Sequence, residues 1–237
     1  MMRLILLAGA AALVAFSASP FAAVAGQAAA SRSYPVSGFT AVELASSDDV
    51  EVRVGPAFSV QADGPAEILD RLVIERRGDA LYIARKPGKS WSWSGKGARV
   101  HVTMPRIAAA KLSGSGDMKV DRVAGPRFAA ALSGSGDLTI AGMAVDKADF
   151  ALVGSGDVRA SGTAGEMSAA LKGSGDLRLG DLVARRAQVA LSGSGDIVAR
   201  VDGPAQVALA GSGDVDLGPG AQCQTIKAGS GSVRCGK

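Results

Sequence analysis

The sequence predicts an all-β fold, a β-solenoid (β-helix-like) with coils of about 18–20 residues marked by Gly-Ser-Gly-Asp turns. Three observations carry this prediction. The tetrapeptide recurs with its aspartate at Asp117, Asp137, Asp157, Asp176, Asp196 and Asp214, and ends as Gly229-Ser230-Gly231-Ser232, in steps of 20, 20, 19, 20, 18 and 18 residues. A period of that length marks stacked supersecondary units, none of which can bury its apolar side alone. The positions one and three beyond each aspartate are apolar: Met118 and Val120, Leu138 and Ile140, Val158 and Ala160, Leu177 and Leu179, Ile197 and Ala199, Val215 and Leu217. That is the period of two of a strand, not the 3.6 of a helix. Composition agrees, because 32 of 237 residues are glycine and only ten are Phe, Trp or Tyr. The core is therefore slender, built from Leu, Val, Ile and Ala, and leaves no room for a buried cofactor; none is expected.

Taken in order, residues 1–25 read as a signal peptide: Arg3, an apolar stretch from Leu4 to Phe16, and Ala23-Val24-Ala25 ahead of Gly26. The stretch is shorter than the roughly 18–20 residues a membrane-spanning helix needs, so no transmembrane segment is expected in the mature chain. Residues 26–37 read as a short linker, and residues 38–235 as a single solenoid domain, less regular over 38–110 and regularly repeated over 111–235. A weaker copy of the repeat lies at Val42 to Val52, around Ser46-Ser47-Asp48-Asp49, and is expected to form the first coil. Strand-like runs follow at Phe58 to Ala62, Leu72 to Ile74, Leu81 to Ala84 and Val100 to Met104, with a helical turn at Pro65 to Leu72. In the regular part an inward column is legible upstream of each turn as Leu112, Leu132, Leu152, Leu171, Leu191 and Leu209. Continuing the alternation through the motif puts both glycines inside and the serine and aspartate outside. Glycine suits a corner where coils stack about 4.8 Å apart and the backbone turns sharply.

The Gly-Ser-Gly-Asp array, together with Phe39-Thr40-Ala41-Val42-Glu43-Leu44 and Val100-His101-Val102-Thr103-Met104-Pro105, resembles the head GIN domain family of auto-transporter adhesins. The likeness spans roughly Gly38 to Cys235. It implies a β-helix-like fold and an adhesin-like role, and it brings no catalytic residues to carry over.

The chemistry-bearing residues are few. The column of six turn aspartates invites a calcium ladder, but a calcium-binding β-helix brings several ligands per ion in nine-residue repeats, whereas here one carboxylate arrives per coil. The aspartates therefore read as structural turn residues bonded to nearby backbone, with Lys119, Arg159 and Arg178 on the same face to offset their repulsion. No metal site is expected. Each Gly-x-Gly runs into a strand instead of a helix N-terminus, so it does not cradle phosphate. The serine column lacks a base, because His101 is the only histidine and its neighbours Val100 and Val102 turn it to solvent. No catalytic residue is assigned, and the chain is expected not to be an enzyme. Trp91 and Trp93, one residue apart in a Pro/Gly/Ser-rich stretch, are a candidate ligand surface if extended, or else a loop packed over a coil end. Cys223 and Cys235 are expected to form one disulfide in the last coil of an exported chain.

A formal net charge of +4 is too small to argue for nucleic acid. The expected role is an exported, non-catalytic binding module of the cell envelope, periplasmic or at the cell surface, with a glycan or an envelope protein as partner. The alternatives are a periplasmic structural protein without a specific ligand and, more distantly, a polysaccharide-active β-helix enzyme.

Overall fold

The computed structural model describes residues 29–88 and 97–236. It is 69% strand and forms a β-solenoid of about six turns. The signal-peptide segment and the Trp91/Trp93 pair lie outside the described residues.

The regular part is a stack of parallel strands in register: β8 (Ala109–Gly114), β9 (Met118–Val120), β10 (Val123–Gly134), β11 (Leu138–Gly154), β12 (Val158–Gly173), β13 (Leu177–Gly193), β14 (Ile197–Val201), β15 (Gly203–Gly211), β16 (Val215–Asp216), β17 (Ala221–Ala228) and β18 (Val233–Arg234). Each coil has three sides. In one of them Phe128, Ala130 and Leu132 point inward, the Gly-Ser-Gly-Asp corner follows, Leu138 and Ile140 line the second side, and Met143 and Val145 the third. The strand runs almost unbroken through the bend between the second and third sides, where register shifts between Ile140 and Met143. Alternation is what fills the core, since every second side chain meets its equivalent one coil away.

The weaker repeat copy is a coil, as its pattern indicates, but it is not the end of the stack. β2 (Ala41–Ala45) and β3 (Asp49–Val54) pair in parallel with β8 and β9 on one side. On their other side they pair in parallel with β6 (Ala80–Arg85) and β7 (Arg99–Met104). A later segment of the chain thus lies beneath an earlier one. The leucine column accordingly reads Ile83, Leu44, Leu112, Leu132, Leu152, Leu171, Leu191, Leu209, each at most 2% exposed.

The N-terminal end is covered by antiparallel strands. β5 (Leu72–Arg77) pairs with β6, and β4 (Ser59–Pro65) pairs with β7. The helical turn α1 (Ala66–Leu69) seats Ile68 and Leu69 in the core. β1 (Ala29–Ser33) pairs with β4, so the stretch 26–37 is not simply a linker. Small and polar residues hide this strand from a hydrophobic-pattern reading; Arg32 fixes it by donating to the Leu69 carbonyl and to Asp70. Such a cover occupies strand edges that would otherwise pair with other chains.

At the C-terminal end the two cysteines form a disulfide, with Cα atoms 6.3 Å apart. Cys223 continues the inward column of Ala187 and Ala205.

Candidate functional site: the ladder corner and the alanine face

The Gly-Ser-Gly-Asp corners stack into a single column along the solenoid. Their first glycines (Gly114, Gly134, Gly154, Gly173, Gly193, Gly211 and Gly229) have φ between +120° and +144°, which side chains rarely adopt. The second glycines are needed for a different reason. A Cβ on Gly116, Gly136, Gly156, Gly175, Gly195, Gly213 or Gly231 would sit far closer than 3.0 Å to a carbonyl oxygen of the preceding coil. The carbonyls of Gly114, Gly134, Gly154, Gly173 and Gly193 each accept two N–H groups from the next coil, as Gly114 does from Ser135 and Gly136.

The aspartates bond to backbone, but between coils and not within one turn. The N–H of Asp117 donates to Asp49 Oδ1, and the pattern repeats through Asp137, Asp157, Asp176, Asp196 and Asp214 to the N–H of Ser232, at 2.8–3.2 Å throughout. Each carboxylate thereby bonds the coil beyond its own. Arg159 spans Asp157 at 2.9 Å and Asp137 at 3.4 Å, and Arg178 spans Asp176 at 3.0 Å and Asp157 at 3.3 Å. These cations relieve the like-charge column where they stand; at Asp196 the equivalent residue is the exposed Val198.

Replacing Asp157 by alanine removes one rung and two ion-pair partners, and about 1–2 kcal/mol of stability is expected to go with them. Asp157→Asn keeps an acceptor oxygen and should lose about half as much, read from denaturant midpoints. Asp214 gives a pH signature. The backbone N–H of Ser232, joined by its hydroxyl at 2.9 Å, holds the Asp214 carboxyl below its ordinary pKa. This stabilisation is present above the unfolded pKa of about 3.9 and is lost as pH falls through the lower folded value. Asp214→Asn should flatten that part of the acid limb in pH-dependent denaturation curves.

Asp48 departs from the pattern. It occupies the position of the second glycine in the coil that lacks both glycines, and it is fully buried. Its side chain fits because the coil beneath replaces the tight corner with the connection between β6 and β7. There Arg85 Nε donates to Asp48 Oδ2 at 2.8 Å, Arg85 Nη2 donates to Oδ1, the Ala98 N–H donates to Oδ1 at 2.7 Å, and the Ser46 hydroxyl donates to Oδ2 at 2.8 Å. The other end of that connection is held by Arg71, which donates to the carbonyls of Lys86 and Gly88 at 2.9 and 3.2 Å. An acidic residue at an inward phase between Leu44 and Val50 was the signal available in the sequence.

The side that precedes each corner carries a contiguous apolar surface. Its outward middle column reads Tyr82, Glu43, Lys111, Ala131, Ala151, Ala170, Ala190, Ala208 and Ile226. Lys111 and Glu43 form an ion pair at 2.8 Å that bounds the alanine run. Val153 and Ile226 stand out from it, 52% and 79% exposed. Together they line a shallow groove of about 340 Å³ that crosses the last coils and is almost wholly apolar. Beside it the amide side chains of Gln188, Gln206 and Gln224 stack in register. The period-two pattern contains this column too, as an alanine at the same outward position of successive coils.

His101 lies on β7 with Glu51 and Asp63 each 3.4 Å from one ring nitrogen, away from the serine column. Among the described residues no group of three or more His, Cys, Asp or Glu is placed to hold a metal ion. No helix among them is long and apolar enough to cross a membrane.

Solved structures share this architecture. A protein described as a putative adhesin from Bacteroides fragilis is 20% identical, with 89% of this chain and 98% of that one aligned at a TM-score of 0.83. Two proteins from Parabacteroides distasonis, described as a putative lipid binding protein and a putative adhesin, are 19% and 20% identical, each covering 88% of this chain and 97% of its own at a TM-score of 0.67. At these identities the likeness establishes the fold. No curated protein matches the sequence. The family described as "Putative auto-transporter adhesin, head GIN domain" matches residues 38–218, the stretch that holds β2 to β16 with the glycine corners from Gly114 to Gly213 and the aspartates from Asp49 to Asp214, and the chain belongs to that family.

Proposed function

We propose that the protein is an exported, non-catalytic binding module of the cell envelope, adhesin-like, that engages its partner through the flat side bearing the alanine column. The observation that carries this reading is the apolar groove bounded by Val153 and Ile226. Contiguous exposed apolar surface on a soluble domain marks an interaction site more often than a neutral feature. Export is supported by the apolar stretch Leu4 to Phe16 with Ala23-Val24-Ala25 behind it, and by the disulfide, which forms in oxidising compartments. The partner is a glycan or an envelope protein. Trp91 and Trp93, one residue apart in a Pro/Gly/Ser-rich stretch of the sequence, are proposed as a second contact.

The first test is protease accessibility on intact cells, with a periplasmic marker to report leakage. Digestion while the marker survives fits a surface adhesin; protection until the envelope is opened fits a periplasmic module. Binding of the purified protein to glycan arrays and to envelope proteins should fall sharply in Ala170→Lys/Ala190→Lys, and Trp91→Ala/Trp93→Ala tests the second contact. Undiminished binding in the lysine variant would remove the alanine face from the proposal.

A second reading, lipid binding, is favoured by the same groove, whose apolar lining suits an acyl chain, and by the description of one Parabacteroides distasonis structure. Flotation of the protein with phospholipid vesicles, abolished in the lysine variant, would support it; no flotation would exclude it.

A further inference from the structure

The last coil differs from every other coil in three ways that share one consequence. Its inward column is polar: Thr225 stacks on Val207 and Lys227 on Leu209, and both are exposed although their partners are 2% exposed. Its corner ends in Ser232 where the other regular coils carry aspartate, so the ladder receives its last rung from Asp214 and has no carboxylate to offer a further coil. Its two cysteines lie on the inner side of the coil, packed against the core, and their disulfide closes the coil on itself. Among the described residues nothing pairs with the far edges of β17 and β18.

We propose that residues 221–236 are a disulfide-locked cap that keeps the C-terminal end of the solenoid from pairing with the same end of a second copy of this chain. The surface beneath the cap is built for such pairing. Ala205, Val207, Leu209, Val215 and Leu217 present five inward apolar side chains beneath the cap, each at most 2% exposed in its presence. The edges of β15 and β16 would offer unpaired backbone donors and acceptors. An inward-pointing charge on an edge strand is a known means of blocking edge-to-edge pairing, and Lys227 supplies it here. The opposite end is covered by the antiparallel strands β1, β4 and β5, so among the described residues the C-terminal end alone presents the parallel edges of a regular coil. Pairing of identical ends closes after two copies, and the product is a dimer, not a fibre.

Reduction opens the cap. A dithiol reductant delivers two electrons and two protons to the Cys223–Cys235 bond, which becomes two thiols as the reductant becomes a disulfide. The polar last coil then frays first, as the terminal unit of a stack with one neighbour does.

Sedimentation velocity of the full mature protein tests the idea. Relative to the oxidised parent, Thr225→Val/Lys227→Leu with the disulfide intact should double in mass. So should the parent after dithiol treatment, with hydrogen exchange rising over residues 221–236 and unchanged through Leu217. Ile226→Ser, on the outward side of the same strand, should leave the mass as it was. A Val/Leu variant and a reduced parent that both stay folded by circular dichroism and keep the parent mass would overturn the proposal. If the Val/Leu variant does not fold, the reduced parent decides: doubled mass supports the cap, and unchanged mass rejects it.

Discussion

Gly195→Ala is expected to unfold the middle of the stack, with a loss of at least about 3 kcal/mol. The added methyl has nowhere to go. It would sit far closer than 3.0 Å to the Gly175 carbonyl oxygen, and the carbonyl carbons of Gly175 and Ser174 lie just behind. All three are backbone atoms of a coil held in register over fourteen residue pairs, so relief requires the coils themselves to separate. Core overpacking usually costs about 1–3 kcal/mol because side chains can adjust; a backbone obstacle removes that escape. Separation at this point also breaks the paired N–H bonds from Ser194 and Gly195 to the Gly173 carbonyl, and displaces the neighbouring rung from Asp196 to Asp176. Stability in a stack of repeats is the sum of each unit and its contacts with its neighbours, so a break in the middle should uncouple the coils beyond it. Hydrogen exchange is expected to show β15 to β18 losing protection while β8 to β11 keep theirs. Gly180→Ala is the control. That glycine meets only Val198 Cγ1, at 3.5 Å, and its φ is not in the positive range. Alanine there should be neutral or stabilise by about 0.4–1 kcal/mol, by restricting the unfolded chain. Equal denaturation midpoints for the two variants would show that the corner tolerates a side chain and that close approach is not why the second glycine recurs.

The corner was legible in the sequence because it repeats. Seven copies expose the period, the phase of the inward leucines and the need for small residues at two fixed places, and a solenoid follows from these with little else. The start of the stack does not repeat and was only partly legible. Nothing in Leu81 to Ala84 or Val100 to Met104 says that these strands lie beneath Val42 to Val52, because order in a stack is decided by pairing across about forty to fifty residues. Local pattern shows that a residue points inward, not which coil it meets. β1 escaped notice for a related reason: an edge strand of alanine, serine and arginine carries no apolar alternation, and its position depends on β4 and Arg32. The aspartates were legible as structural candidates, but a bond from one coil to the next appears only once the coils are stacked. The outward alanines lay in plain view, yet alanine carries little weight in a hydrophobic count until five of them align on one side.

Asp48→Ala should cost about 3 kcal/mol and release the N-terminal end selectively. Asp48 is the one buried charged or polar residue of the described core, and it accepts from Arg85, Ser46 and the Ala98 N–H. A buried ion pair need not add net stability, since desolvation offsets attraction, but removing one partner leaves the others without a bond they had in place of water. The usual range for such a loss is about 3–5 kcal/mol, and the lower end applies because the Arg85 side chain is 26% exposed and can be rehydrated. The Ala98 N–H has no such outlet, because Ala98 is itself 2% exposed. Hydrogen exchange should therefore rise at Ala98 and along β6 and β7, and stay constant in β12 and β13. Asp48→Gly distinguishes charge from shape. It gives this coil the second glycine found in all later corners, so a purely steric account expects it to be tolerated, whereas the bonding account expects a loss like that of alanine. The pair can also be measured directly. Combining Asp48→Ala with Arg85→Leu should recover part of the loss, with a coupling energy on the order of 2 kcal/mol. Strictly additive effects would mean that Arg85 does not depend on Asp48, and that the end of the stack is held by its strand pairing alone.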